Sequence, residues 1–156
     1  MFYHKLKNIT MKVNKIGIAG DHAGTELKEK VKDFLKGKGI EVVDYGTNST
    51  DSCDYPDYAH PLAQSVVEKT NELGILICGS GNGVNMVANK YAEIRSALSW
   101  TTEIAELARL HNDANVVAIP ARFISEELAL NIVDTFISTD FEGGRHQRRV
   151  DKITCA

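Results

Sequence analysis

Gly74-Ile75-Leu76-Ile77-Cys78-Gly79-Ser80-Gly81-Asn82-Gly83 is the stretch on which the fold turns. Its first half is a short apolar run with the character of a buried strand, and its second half is a glycine-rich turn. Residues 84–90 continue with a helical pattern. A strand apolar at successive positions is buried on both faces, as in a parallel sheet covered by helices.

The alternation extends outward in both directions. Residues 16–19 read as a strand, followed by the turn Gly20-Asp21-His22-Ala23-Gly24. A helix is predicted over 25–36, with Leu27, Val31, Phe34 and Leu35 on one face and Gly37 and Gly39 ending it. A second strand falls at 40–43, then a polar loop over 44–56. A helix follows over 58–69, with Pro61 expected in its first turn. Beyond the glycine-rich turn, strands are predicted at 94–98 and 115–119. Thr101 or Thr102 caps a helix to about residue 110, and Ser125 caps one to 137. The polar, basic segment 141–154 is expected to be helical. Five strands alternating with helices give a parallel sheet with helices on both faces, and ligands bind such sheets at the carboxyl ends of their strands. Asp21, His22, Asp54, Cys78 and the glycines should therefore share one rim.

At 156 residues, residues 11–156 make one domain, and residues 1–10 are set apart as an extension of no assigned role. That extension carries Lys5 and Lys7 but no apolar core, unlike a signal peptide. With 43% hydrophobic and 25% charged residues, disordered, collagen-like and heptad-rod classes are excluded. A net charge of -3 argues against a nucleic-acid partner. No apolar run approaches the ~20 residues of a membrane span, so no membrane partner is expected. Three cysteines, Cys53, Cys78 and Cys155, form neither a disulfide framework nor a zinc-type C-x-x-C pair, and a cytoplasmic location fits them. Cys53 and Cys155 are expected to be exposed thiols.

The glycine-rich turn lets a ligand approach closely and offers amides to an anion, yet it matches neither the Walker loop nor the dinucleotide fingerprint. A tight structural turn is the competing account. Cys78, where strand meets loop, is either a nucleophile or base of lowered pKa or a small core residue. His111-Asn112-Asp113 closes a helix and offers an acid–base histidine or a cap. Asp21-His22 is a site element or a capped turn. Arg145 and Arg149, four apart on one helix face, suit a phosphate, though a solvated basic face would look the same. These residues suggest a small phosphorylated ligand without specifying a reaction.

Taken in order, further motifs narrow this: Gly20 to Gly24, Asp54-Tyr55-Pro56, Gly74 to Gly83, Ala88-Asn89-Lys90, His111 to Val116 and Glu142 to Val150. Together they resemble the sugar-phosphate isomerase family of the type B ribose-5-phosphate isomerases and the galactose-6-phosphate isomerase subunits. The resemblance runs from Lys15 to Thr154. It implies a single-domain Rossmann-like α/β/α fold with a C-terminal helix. It also implies aldose–ketose isomerisation of ribose 5-phosphate and ribulose 5-phosphate without metal or organic cofactor. Members lacking the cysteine use a glutamate just after the glycine loop, a position held here by Val84, so Cys78 resembles the base. His111 resembles the residue assisting ring opening. Asp21 and Asp54 would position sugar or histidine, Asn112 would bind sugar, and His22, Arg122, Arg145 and Arg149 would hold the phosphate. The amides of Gly79, Ser80, Gly81, Asn82 and Gly83, with the Ser80 hydroxyl, would face the enediolate oxygen. The resemblance further implies a homodimer or tetramer whose sites draw on two chains. The alternatives are an isomerase of a six-carbon sugar phosphate (allose or galactose 6-phosphate) and a non-catalytic sugar-phosphate-binding module.

Overall fold

β3 (Leu73–Cys78), the strand that opens the glycine-rich turn, is the central strand of a five-stranded parallel sheet in the computed structural model, which describes residues 13–155. The extension expected over residues 1–10 lies outside the described residues. The other strands are β1 (Lys15–Gly20), β2 (Glu41–Asp44), β4 (Ser96–Leu98) and β5 (Val116–Pro120), and the spatial order is β2-β1-β3-β5-β4. All four pairings are parallel. The chain leaves β1 toward β2 on one side and returns to β3 on the other, so the topological switch lies between β1 and β3, where such sheets open a crevice.

Helices cover both faces. α1 (Thr25–Gly37), α4 (Thr102–Asn112) and α5 (Glu126–Ser138) bury Val31, Leu35, Ala105, Ala108, Ile132 and Phe136 against Ile16, Ile18, Ile75 and Ile119. α2 (Pro56–Val67) and α3 (Asn82–Ala88) bury Ala59, Leu62, Val84 and Ala88 against Ala19, Leu76, Val116 and Ala118. The period-two split of β3 explains the two cores: Ile75 and Ile77 point to one face, Leu76 and Cys78 to the other. A cation is also buried. The Lys28 side chain is fully enclosed, with Nζ 2.7 Å from both Asp44 carboxylate oxygens and 2.9 Å from Asn48 Oδ1.

Caps set the helices that matter for the site. Thr101 accepts the Ile104 amide at 3.2 Å, which selects it over Thr102 as the start of α4. Ser125 does the same for Leu128 in α5. Two expectations need correction. α2 begins at Pro56, not two residues later, so Pro56 takes the first-turn position and Pro61 lies inside the helix; a proline at the first helical position has no amide to lose and a preset φ. The basic C-terminal segment is helical only in α6 (Arg145–Val150), because Gly143 and Gly144, at φ +68° and +55°, break the chain before it.

Candidate active site

The carboxyl ends of β1, β3 and β5 meet at a cavity of about 400 Å³ lined by Asp21, Tyr55, Cys78, Ser80, Arg122 and Phe123, among others. The β1 turn is held by its own first residue: Asp21 Oδ1 accepts the Ala23 amide at 2.9 Å, and the Asp21 amide donates to the Ile77 carbonyl. His22 Nδ1 accepts the Cys53 amide at 3.3 Å, which ties the 44–56 loop carrying Asp54 to the β1 turn. The Arg122 amide donates to the Gly79 carbonyl and so fixes the loop after β5 against the glycine-rich turn.

Two glycines in that turn are irreplaceable for different reasons. Gly81 sits at φ +76°, and a Cβ there would lie 2.5 Å from Leu98 Cδ1. A Cβ on Gly83 would lie 2.5 Å from the Tyr55 ring, which packs flat against the bare backbone. Val84, the next residue, is buried in the core beneath α2 and does not line the cavity.

The loop amides converge on sulfur. The Gly81 N–H donates to Cys78 Sγ at 3.0 Å, and the Ser80 and Val84 amides point the same way. These pull the thiol pKa down, but burial pushes it up more strongly and the neighbouring Asp21 charge adds to that, so the thiol lies above the ordinary cysteine value. This corrects the expected depression: desolvation of the buried thiolate outweighs the loop amides that favour it. Ser80 Oγ accepts from both the amide and the side-chain nitrogen of Asn82 at 3.3 Å, so its own O–H is left to donate toward the cavity. Cys53 is half-buried, not exposed as expected, with Sγ 3.8 Å from His22 Nδ1; Cys155 is exposed.

His111, Asn112, Arg145 and Arg149 lie elsewhere. In the sheet register Cys78 faces Pro120 and Gly74 faces Val116, and the Gly74 amide donates to the Asn115 carbonyl. The end of α4 therefore sits at the amino ends of the strands, four residues or about 13 Å along β3 from Cys78. Asn112 instead helps line a cavity of about 600 Å³ beside Ile153 and Cys155. α6 packs on α4, and the Glu142 amide donates to the Leu110 carbonyl, so Arg145 and Arg149 accompany His111. Both arginines are exposed. The His111 ring stacks on His146, centroids 4.2 Å apart and planes at 11°.

Tyr55, Phe123, Glu142 and His146 border these two groups and were not predicted as site residues. Glu142 precedes α6 across the Gly143-Gly144 break, so no helix periodicity pairs it with His146, and nothing local marks the apposition of Tyr55 to Gly83. Among the described residues no helix is long and apolar enough to cross a membrane.

The family model described as Ribose/Galactose Isomerase matches residues 16–153. Ribose-5-phosphate isomerase B of Escherichia coli is 44% identical over 142 residues, covering 91% of this chain and 95% of the relative. The crystal structure of a ribose 5-phosphate isomerase from Thermotoga maritima superposes with a TM-score of 0.89 at 55% identity, covering 92% of this chain and 98% of that one. Ribose-5-phosphate isomerase B from Mycoplasma genitalium, solved with bound ribulose-5-phosphate, gives a TM-score of 0.86 at 47% identity, covering 89% and 93%.

Proposed function

This chain belongs to the ribose/galactose isomerase family, and from that premise we propose that it interconverts ribose 5-phosphate and ribulose 5-phosphate through an enediolate. The observation that carries the proposal is Cys78: a thiol at a strand's carboxyl end, inside a sugar-sized cavity, with three amides directed at its sulfur. Such a group serves as base for a proton next to a carbonyl.

The steps balance within one substrate. The Cys78 thiolate takes the C2 proton of the open-chain aldose, and the C1 carbonyl oxygen takes up negative charge. The thiol returns that proton to C1 while the C2 hydroxyl proton passes to the C1 oxygen, which leaves a ketone at C2. The Ser80 O–H, its two acceptor positions already filled by Asn82, is aimed to donate to the oxygen that becomes charged. Because Gly81 donates to sulfur, the loop serves the base as well as the oxyanion. Asp21 and Asp54 orient the sugar, and His22 and Arg122 offer cationic or donor contacts to its phosphate.

His111 assists ring opening, Asn112 binds sugar, and Arg145 and Arg149 hold the phosphate, all for the cavity of a second copy. Two observations support this. About 13 Å of β-strand separates them from their own Cys78. Tyr55 and Phe123, which line the cavity, are exposed, Phe123 by 75%, and so is Met86 on α3, whose first turn lines it; these are apolar groups that a second chain would cover. The working unit is thus a homodimer, or a tetramer built from such dimers, and the phosphate contacts fix orientation remote from the reacting carbons.

The test is turnover of ribose 5-phosphate and allose 6-phosphate by the purified protein and by Cys78→Ala. Turnover of the pentose phosphate, lost by about 10²-fold or more in Cys78→Ala with substrate binding kept, is expected. Preference for the hexose phosphate would move the assignment to a six-carbon substrate. Substrate binding without turnover would make the chain a binding module.

A further inference from the structure

We propose that His111, Glu142 and His146 form a binding site for a zinc-type transition-metal ion, and that an ion held there inhibits the isomerase. The site stands on its own geometry; the inhibition rests on the role proposed for His111 above. The ion is an inhibitor, not a cofactor, and the isomerisation needs no metal in its balance.

The three ligand atoms come from two segments that are tied together. His111 lies in the last turn of α4, Glu142 is joined to it through its amide on the Leu110 carbonyl, and His146 follows in the first turn of α6. Glu142 Oε2 lies 3.8 Å from His111 Nε2 and 3.8 Å from His146 Nε2, and all three ligand atoms fall within 4.8 Å of one another. Tetrahedral zinc with bonds of about 2.0–2.1 Å spaces its ligands by roughly 3.3 Å. The carboxylate oxygen must therefore close by about 0.5 Å on each imidazole, and the two imidazole nitrogens on each other by up to about 1.5 Å, chiefly by rotation of His111. Glu142 is exposed and His111 partly so, which leaves these two free to turn toward an ion held by the buried His146.

His146 supplies the second, independent observation. It is 4% exposed, and its Nε2 has no hydrogen-bond partner among the described residues. A buried ring nitrogen without a partner calls for a ligand.

The surroundings choose the metal. Two imidazoles and one carboxylate are a zinc-type set, with a fourth position open to water. Arg145 and Arg149 add positive charge beside the site. That disfavours magnesium and calcium, which rely on anionic oxygen ligands, more than zinc, which bonds strongly to imidazole. An imidazole bound to metal through Nε2 cannot carry a proton there, so ring opening stops.

Zinc binding is measured by competition with a chromophoric chelator on the full-length protein. The panel is wild type, Glu142→Gln, His146→Asn, Cys78→Ser and a Cys53→Ser/Cys155→Ser double variant, each checked by circular dichroism. Wild type should bind one ion per chain, both cysteine variants should keep it, and Glu142→Gln should lose at least tenfold in affinity. His146→Asn should lose more; if it misfolds, the exposed Glu142→Gln substitution carries the test. Equal affinity in wild type and Glu142→Gln, or loss of binding in either cysteine variant, overturns the site. Zinc should also inhibit ribose 5-phosphate turnover reversibly with chelator, less so in Glu142→Gln. Glu142-dependent binding without inhibition overturns the inhibition and the ring-opening role of His111, and leaves the metal site standing.

Discussion

A Cys78→Ala chain and a His111→Asn chain should each be nearly inactive alone and should regain activity when they share a dimer. The geometry sets the size of the effect. Cys78 faces Pro120 at the carboxyl end of β3, and Val116, which follows α4 closely, faces Gly74 at the other end. The four residues between span about 13 Å, farther than an imidazole side chain reaches from its backbone. If each cavity takes Cys78 from one copy and His111 from the other, a mixed dimer has one site with both residues intact and one site with neither. Equimolar chains exchanged at random place half the dimers in the mixed class. About one quarter of wild-type activity per chain should therefore return. Each parent, missing a positioned acid–base group, should stand about 10²–10⁴-fold below wild type. The assay is a coupled ribulose 5-phosphate readout after unfolding and refolding the two chains together, with native mass spectrometry to count mixed dimers. Mixed dimers present at half the total with activity still at the parental level would refute the shared site and return His111 to its own chain's chemistry.

Losing Arg145 or Arg149 should weaken ribose 5-phosphate binding by about ten- to a hundredfold, since each charge-assisted phosphate contact is worth roughly 1.5–3 kcal/mol. Arg148→Ala should be much milder, and similar KM values for all three variants would make α6 a solvated basic face. Iodoacetamide inactivation through Cys78 should accelerate about tenfold per pH unit through pH 8.5 and beyond, because burial holds the thiol above its ordinary value. Ribose 5-phosphate should protect, and a plateau below pH 8 would contradict the raised pKa. Lys28→Met leaves a partly buried Asp44 with Lys32, 2.8 Å away, and the Gly46 amide, and should cost about 3 kcal/mol, or roughly 6–12 °C in Tm. Burial pushes the Asp44 carboxyl up, but Lys28, Lys32 and the Gly46 amide outweigh it and hold it below the usual carboxylate range. Its stabilisation is thus full above the unfolded value of about 3.9 and lost as pH falls through the lower folded value. The stability gap between wild type and Lys28→Met, followed by urea titration, should close below about pH 4; a gap independent of pH would assign the cost to packing.

The sheet was legible because β1, β3 and β5 are short and almost wholly apolar, and periodicity separates the strands from the helices. The shared rim of Asp21 and Cys78 followed from the rule that parallel strands present their carboxyl ends together, whereas Asp54 lies outside the cavity lining. Pro61 misled because two prolines compete for one helix start, and only the path of the chain before Pro56 decides between them. The pKa of Cys78 was misread because sequence shows the loop amides but not how deeply the sulfur is buried. The stacking of His146 on His111 joins residues 35 positions apart, and nothing local marks it. The separation of His111 from Cys78 was in principle readable, since a helix between parallel strands must end where the next strand begins.

α4 starts at the Thr101 cap, just past β4, whose Leu98 touches the glycine-rich turn, and ends at His111 and Asn112. Its eleven residues make a rod about 16 Å long between the turn after β4 and His111, the group that the proposed dimer would bring to a partner's cavity. A single-residue deletion along that rod would turn His111 by about 100° and draw it back by about 1.5 Å. If His111 serves a partner's cavity as proposed, exposed positions such as Glu103 and Glu106 should tolerate substitution, while an insertion or deletion between Thr101 and His111 should abolish turnover. Length, more than composition, is the quantity that selection must hold fixed in this helix.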